Sequence, residues 1–264
     1  MPPAGEPGAA QAGAAAPVWQ PSPNFGPRRD GLRPELIVLH YTQMVSAQAA
    51  LARLCDPLSE VSAHYLIGRG GQVWQMVAEE LRAWHAGAGS WQGRGDVNSR
   101  SIGIELDNDG ESPFPAPQMR ALEGLLAALR ARWMIAPEGV IAHSDMAPAR
   151  KRDPGARFDW RALARVGQSI WPEVAGAEVA AVAGAEARHE DFDALLGRVG
   201  YPALPESRAA FRLRFRPECA PDAPLDAIDL ARAAALASGR WTGRHGPSVA
   251  GRASTGRDGP CPRP

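Results

Sequence analysis

Two apolar runs of strand length each end in a histidine: Leu36-Ile37-Val38-Leu39-His40 and Val140-Ile141-Ala142-His143. Shortly after the second, Lys151-Arg152-Asp153-Pro154-Gly155 places a carboxylate in a tight loop. Two imidazoles and one carboxylate suffice to hold a zinc ion with one position open for water, whose pKa such a site lowers toward neutrality. Amide or ester hydrolysis then needs a general base and a cation or donor for the developing oxyanion. Glu105 is the candidate base. In Ser101-Ile102-Gly103-Ile104-Glu105-Leu106 the alternation turns it away from the Ile face, and a carboxylate there needs a partner or a role unless it is a solvated edge position. Lys151 is the candidate for the oxyanion. It is the single lysine in a chain with 29 lysines and arginines, which points to a need for a compact ammonium in place of a planar guanidinium; survival by chance on a solvated loop is the alternative. The ligands are far apart in sequence and form no local signature, so spacing alone leaves the metal site open.

These residues need a platform. Leu36 to His40, Ser101 to Leu106 and Val140 to His143 read as core strands, with Tyr41 and Thr42 at the mouth of the site that His40 faces. Ala63–Ile67 and Gln72–Val77 flank Gly68-Arg69-Gly70-Gly71, a hairpin signal. His64 lies in the first arm, where a lone histidine serves structure more often than ligation. Ala47–Leu54 reads as a short helix ended by Asp56-Pro57. Pro117–Ile135 is the clearest helix, with Met119, Leu122, Leu125, Leu126, Leu129 and Trp133 at spacings of three and four. Phe158–Val166 is a further short helix. Ala83-Trp84-His85-Ala86-Gly87 leads into a Gly-rich stretch, Ala88 to Asn98, and Trp84, His85 and Trp91 argue for an ordered wall of the groove.

The chain has 264 residues, 45% of them hydrophobic, enough to bury a substantial core. A formal net charge of zero argues against a general nucleic-acid binder. No apolar run approaches membrane-spanning length. Cys55, Cys219 and Cys261 are odd in number and far apart, so they form no disulfide framework. No basic-then-apolar leader and no lipobox is visible, which gives a cytoplasmic expectation, with the periplasm as the alternative.

The ordered motifs Leu39-His40-Tyr41-Thr42, Ser62-Ala63-His64-Tyr65-Leu66-Ile67, Ala83-Trp84-His85-Ala86-Gly87, Ser101 to Leu106, Ala142-His143-Ser144-Asp145 and Lys151-Arg152-Asp153-Pro154-Gly155 resemble the zinc N-acetylmuramoyl-L-alanine amidases. This is the type 2 amidase family, which shares its fold with T7-type lysozyme and peptidoglycan recognition proteins. Within it the likeness is to the AmiD-like and AmpD-like branches, over roughly residues 32–172. The resemblance implies an α/β fold with a central mixed β-sheet flanked by helices. It implies one Zn2+ per chain on His40, His143 and Asp153, with Glu105 as general base and Lys151 as oxyanion stabiliser. Substrate binding is expected from Tyr41, His64, Trp84, His85 and Ala86. The implied reaction is hydrolysis of the amide between the lactyl group of N-acetylmuramic acid, or its anhydro form, and L-alanine of the stem peptide. The partner is then peptidoglycan or a muropeptide, with no nucleic acid, and the chain is expected to be a monomer. Tyr41, where the AmpD-like branch has Asn, leans toward broader substrate acceptance. Two other readings keep the fold: a recognition protein that binds without cutting, and a zinc peptidase acting on the stem peptide.

The expected organisation is a disordered stretch 1–20, a catalytic domain 21–173, a linker 174–188, a small three-helix module 189–240 that resembles a peptidoglycan-binding domain, and a disordered tail 241–264. The three helices are expected at 192–199, 206–215 and 225–236, filling one small core of their own.

Overall fold

The structure, a computed structural model, describes residues 16–183 and 189–242. The expectations for residues 1–15 and 243–264, Cys261 among them, lie outside the described residues, as does the end of the expected linker.

In chain order, β1 (Val18–Trp19), β2 (Phe25–Pro27) and β3 (Leu36–Tyr41) lead to α1 (Ala47–Leu54). Then come β4 (Tyr65–Ile67), β5 (Val73–Gln75), β6 (Leu81–Ala83), α2 (Val97–Arg100) and β7 (Ser101–Leu106). The long helix α3 (Ala116–Trp133) precedes β8 (Val140–Ala142), α4 (His143–Met146), α5 (Trp160–Arg165) and β9 (Trp171–Pro172). The chain continues through α6 (Gly176–Ala183), α7 (His189–Val199), α8 (Ser207–Phe215), α9 (Ala227–Ala237) and β10 (Trp241–Thr242).

Six strands form one mixed sheet in the order β1-β5-β4-β7-β3-β8. β3 lies between β7 and β8 and is parallel to both, while β4 and β5 form the expected antiparallel hairpin. The central mixed sheet flanked by helices is the fold class expected from the sequence.

Side chains alternate across a strand, and this assigns the two faces. Ile37 and Leu39 of β3, Ile102, Ile104 and Leu106 of β7, and Val140 and Ala142 of β8 share one cluster with Leu122, Leu126 and Leu129 of α3. Each fully buried leucine of that stripe contributes roughly 1.5–3 kcal/mol. The intervening residues His40, Glu105 and Ile141 therefore face the other way, with His143 two residues beyond Ile141. Local signals set the helix ends: Ser46 accepts from Ala49 N–H at the start of α1, and Asp226 accepts from Ile228 and Asp229 N–H at the start of α9.

The second face is where the structure departs from expectation. Phe192, Leu196, Phe211, Phe215 and Leu236 of α7, α8 and α9 belong to the same cluster as Leu36, Val38 and Ile141 of the sheet. The C-terminal helices share one core with the strands and do not close a small core of their own. The reason is the sheet itself, which has apolar residues on both faces and needs a cover on each. The expected linker includes α6, whose Val182 packs against that same core. The first expected residue of the tail, Trp241, belongs to β10, which pairs antiparallel with β9. At the other end, Val18 and Trp19 lie within the stretch expected to be disordered but pair with Trp74 and Gln75 of β5. No helix among the described residues is long and apolar enough to cross a membrane.

Candidate metal centre and active site

His40 is the fifth residue of β3 and is in register with Glu105 on β7. His143 follows directly on β8, the other neighbour of β3. Three adjacent parallel strands thus bring both imidazoles and the carboxylate of Glu105 to one end of the sheet. Asp153 returns to them from the loop after α4, where its carbonyl accepts from Ser144 N–H at 3.0 Å.

The Nδ1 atoms of His40 and His143 lie 2.9 Å apart, and Asp153 Oδ2 is 3.1 Å from the first and 2.9 Å from the second. All three side chains are buried. Burial, reinforced by the neighbouring His143, lowers the pKa of His40 to about 4 and keeps it neutral at pH 7. Burial alone would raise the carboxyl of Asp153, but the two facing imidazoles outweigh it and hold Asp153 below the usual carboxylate range. Two imidazoles, that of His40 neutral, and one ionised carboxylate are the donor set of an open zinc site. The environment of Glu105 agrees: its Oε2 is buried with no hydrogen-bond partner beside this cluster, as expected of a group whose partner arrives with a ligand. The residues present therefore fit a divalent ion, and among the described residues this group is the one arranged for it.

Glu105 has its pKa raised well above the ordinary value, first by burial and then by Asp153, while the charge of Lys151 works against the rise. Lys151 also acts on His40, lowering its pKa. The three donors, Glu105 and Lys151 line one cleft of about 660 Å³, within the range of small-molecule sites. Tyr41, Trp84 and His85 line it too.

Two residues expected to bind substrate are elsewhere. His64 is fully buried; its Nδ1 accepts from Gly103 N–H at 3.0 Å and its Nε2 is 3.1 Å from the Leu81 carbonyl, so both ring nitrogens serve the backbone. Ala86 is also fully buried, and its carbonyl oxygen lies 3.0 Å from His143 Nε2. The Gly-rich stretch after Gly87 does not line the cleft. Trp91 is instead buried edge-on against Tyr201, with ring centroids 5.1 Å apart, and Gln92 N–H donates to the Gly200 carbonyl at 2.8 Å. Its aromatic residue is ordered because it packs on the C-terminal helices. Sequence reasoning missed the wall opposite: Glu206, Ala209 and Leu213, at and within α8, line the cleft. Nothing local marks them, since an exposed helix face and a groove wall have the same composition.

Fold and donor set together define an α/β protein with a three-donor metal-type site at one end of its mixed sheet. Residues 30–156 match the family described as N-acetylmuramoyl-L-alanine amidase. The N-acetylmuramoyl-L-alanine amidase AmiD of Escherichia coli (strain K12) is 36% identical over 214 residues, which is 70% of this chain and 76% of that protein. The 1,6-anhydro-N-acetylmuramyl-L-alanine amidase AmpD of Citrobacter freundii is 35% identical over 157 residues, 53% of this chain and 84% of that protein. Among solved structures, AmiD from E. coli in complex with anhydro-N-acetylmuramic acid-L-Ala-D-gamma-Glu-L-Lys superposes with a TM-score of 0.71 at 35% identity, covering 80% of this chain and 91% of that one. The chain belongs to the N-acetylmuramoyl-L-alanine amidase family, in its type 2, AmiD/AmpD-like group.

Proposed function

We propose that this amidase hydrolyses the bond between the lactyl carbonyl of N-acetylmuramic acid, or its anhydro form, and the amino group of L-alanine in the stem peptide, with zinc as the resident metal. The observation that carries the reading is one cleft lined at once by the donors His40, His143 and Asp153, by Glu105 and by Lys151. The family membership and the muropeptide bound to the E. coli relative support the substrate class.

His40, His143 and Asp153 would hold the ion. When bound, zinc supplies Lewis acidity, which polarises a carbonyl and makes water more acidic. Glu105 takes the proton from the attacking water; its raised pKa brings it nearer the operating pH, where a general base works best. The ammonium of Lys151 faces the negative charge that develops on the carbonyl oxygen. As the C–N bond breaks, the proton received by Glu105 passes to the departing amine of L-alanine, and the carboxyl is again ionised. Water is consumed, and a lactyl carboxylate and a free peptide amino terminus are formed.

The test is digestion of a purified muropeptide, with products weighed by mass spectrometry, with and without a chelator. The expected result is release of the intact stem peptide with a free L-alanine terminus, abolished by chelator and restored by zinc. Cleavage inside the peptide would make the protein a peptidase. Zinc at one per chain without any cleavage would make it a recognition protein.

A further inference from the structure

His85 does more than line the cleft. Its ring stands edge-on to His40, with centroids 5.1 Å apart, and its Nδ1 lies 3.0 Å from His40 Nε2. We propose that the dipeptide His85–Ala86 orients both histidine ligands, holding each imidazole in the tautomer whose Nδ1 is bare and turned toward Asp153. This inference rests on the metal-site reading above.

The hydrogen-bond chemistry runs through each ligand separately. A carbonyl oxygen only accepts, so the Ala86 carbonyl, 3.0 Å from His143 Nε2, requires the proton on Nε2 and leaves Nδ1 of a neutral ring as a lone pair. For His40 the relay has one more member. Ser101 Oγ is 2.6 Å from the Val97 carbonyl and 3.2 Å from His85 Nε2. The hydroxyl donates its proton to the carbonyl and accepts from His85 Nε2–H. His85 Nδ1 is then unprotonated and accepts from His40 Nε2–H, which leaves His40 Nδ1 bare. The other tautomer of either ligand would aim an N–H at the ion.

The dipeptide is itself pinned. Its two backbone N–H groups both donate to Oδ1 of buried Asn98, at 3.1 Å from His85 and 2.8 Å from Ala86. Arg150 donates to the Ala86 carbonyl as well. The ring of His85 lies so close to β7 that a Cβ on Gly103 would sit 2.4 Å from its Cγ, so only glycine leaves room for it. Asn98, Ser101 and Gly103 all belong to the short stretch that includes α2 and the start of β7, the strand that also bears Glu105. One rigid segment thus sets the base and, through His85–Ala86, the lone pairs of two ligands. Groups that orient metal-bound histidines in this way are worth about 10–100-fold in metal affinity.

The experiment measures zinc affinity by competition with a chromophoric chelator for the wild type and the His85→Leu, His85→Gln and Ser101→Ala variants. Long-range 15N–1H spectra of the zinc-free proteins read the imidazole tautomers. The expected wild-type spectrum has His40 and His143 as Nε2–H forms. His85→Leu, which cannot accept from His40, should bind zinc about 10–100-fold more weakly. His85→Gln, which keeps a carbonyl acceptor, should recover part of that loss. Ser101→Ala leaves the groove wall in place and should mix the His85 tautomers and weaken zinc binding by about tenfold; it carries the test if His85→Leu does not fold. Wild-type zinc affinity in these variants together with a raised KM for muropeptide would overturn the proposal and make His85 a substrate contact alone. A wild type that takes up no zinc would overturn the metal reading first, and this one with it.

Discussion

Arg214 on α8 donates to Asp145 Oδ2 at 2.5 Å, and Asp145 stands two residues after His143, a proposed metal ligand. Both side chains are buried. The same carboxylate accepts from Ala142 N–H at 2.8 Å and from the Tyr201 hydroxyl at 2.7 Å, while Arg214 also donates to the Val140 carbonyl at 2.8 Å. The guanidinium lies 4.3 Å from the Trp160 ring centroid and 4.6 Å from that of Phe215. The C-terminal helices therefore hold the strand end from which His143 enters the cleft.

Removing one member of this pair leaves a buried charge without its counterion. Arg214→Ala should destabilise the protein by about 3–5 kcal/mol, measured by urea denaturation. Because α7 to α9 also cover the second apolar face of the sheet, a chain ending before α7 should be insoluble or unfolded. A truncated protein that stays monomeric, with a native unfolding transition, would show that the sheet needs no such cover.

Glu105→Gln should keep zinc binding and lower kcat by about two orders of magnitude or more, the size expected for loss of a general base. A base acts only when ionised, and burial raises the pKa of Glu105 above its ordinary 4.5. Activity should accordingly fall as pH drops through that raised value, with the acid limb of the profile well above 4.5. Full activity in the variant would remove Glu105 from its role.

Lys151→Met should lower kcat by about 10²–10³-fold, the cost of an oxyanion donor, with zinc content unchanged. Lys151→Arg keeps the charge but replaces a compact ammonium with a planar fork, and should remain well below the wild-type rate. Wild-type rates in Lys151→Arg would show that the lone lysine is a coincidence of composition.

His64 gives a pH-dependent stability. Burial, with the nearby Arg28 guanidinium adding to it, lowers its folded-state pKa from 6.5 to about 3. Between these values the unfolded chain binds a proton that the native state refuses, so stability falls as pH drops from 6.5 and levels off below about 3. The full loss is on the order of 5 kcal/mol. His64→Gln should be less stable than the wild type at pH 7 but lose less on acidification. The difference between the two denaturation series isolates His64, since His40 and His85 titrate in both. Identical slopes would mean that His64 is protonated without cost.

Much of this molecule follows from short-range patterns. The period-two alternation in β7 turns Glu105 away from Ile102, Ile104 and Leu106, and the structure finds those three packed on α3. The three- and four-residue spacing of Leu122, Leu126 and Leu129 makes α3, and Ser46 caps α1 where the pattern begins. The histidines that end two apolar runs, and Asp153 in the loop behind them, stand out as a candidate donor set because strand patterns and turn signals are local. What covers each face of the sheet was not readable. Alternation says which residues share a face and nothing about the element that packs on it, so α7 to α9 read as a separate module, whereas Phe192 of α7 and Phe211 and Phe215 of α8 share a core with Leu36, Val38 and Ile141. The same limit applies within the site. His64 and His85 are both histidines beside apolar sequence, yet one serves the backbone and the other meets His40 across 45 residues of chain. Such pairings depend on strand register and on the approach of a loop to a glycine, and these are decided only when the whole chain closes on its core.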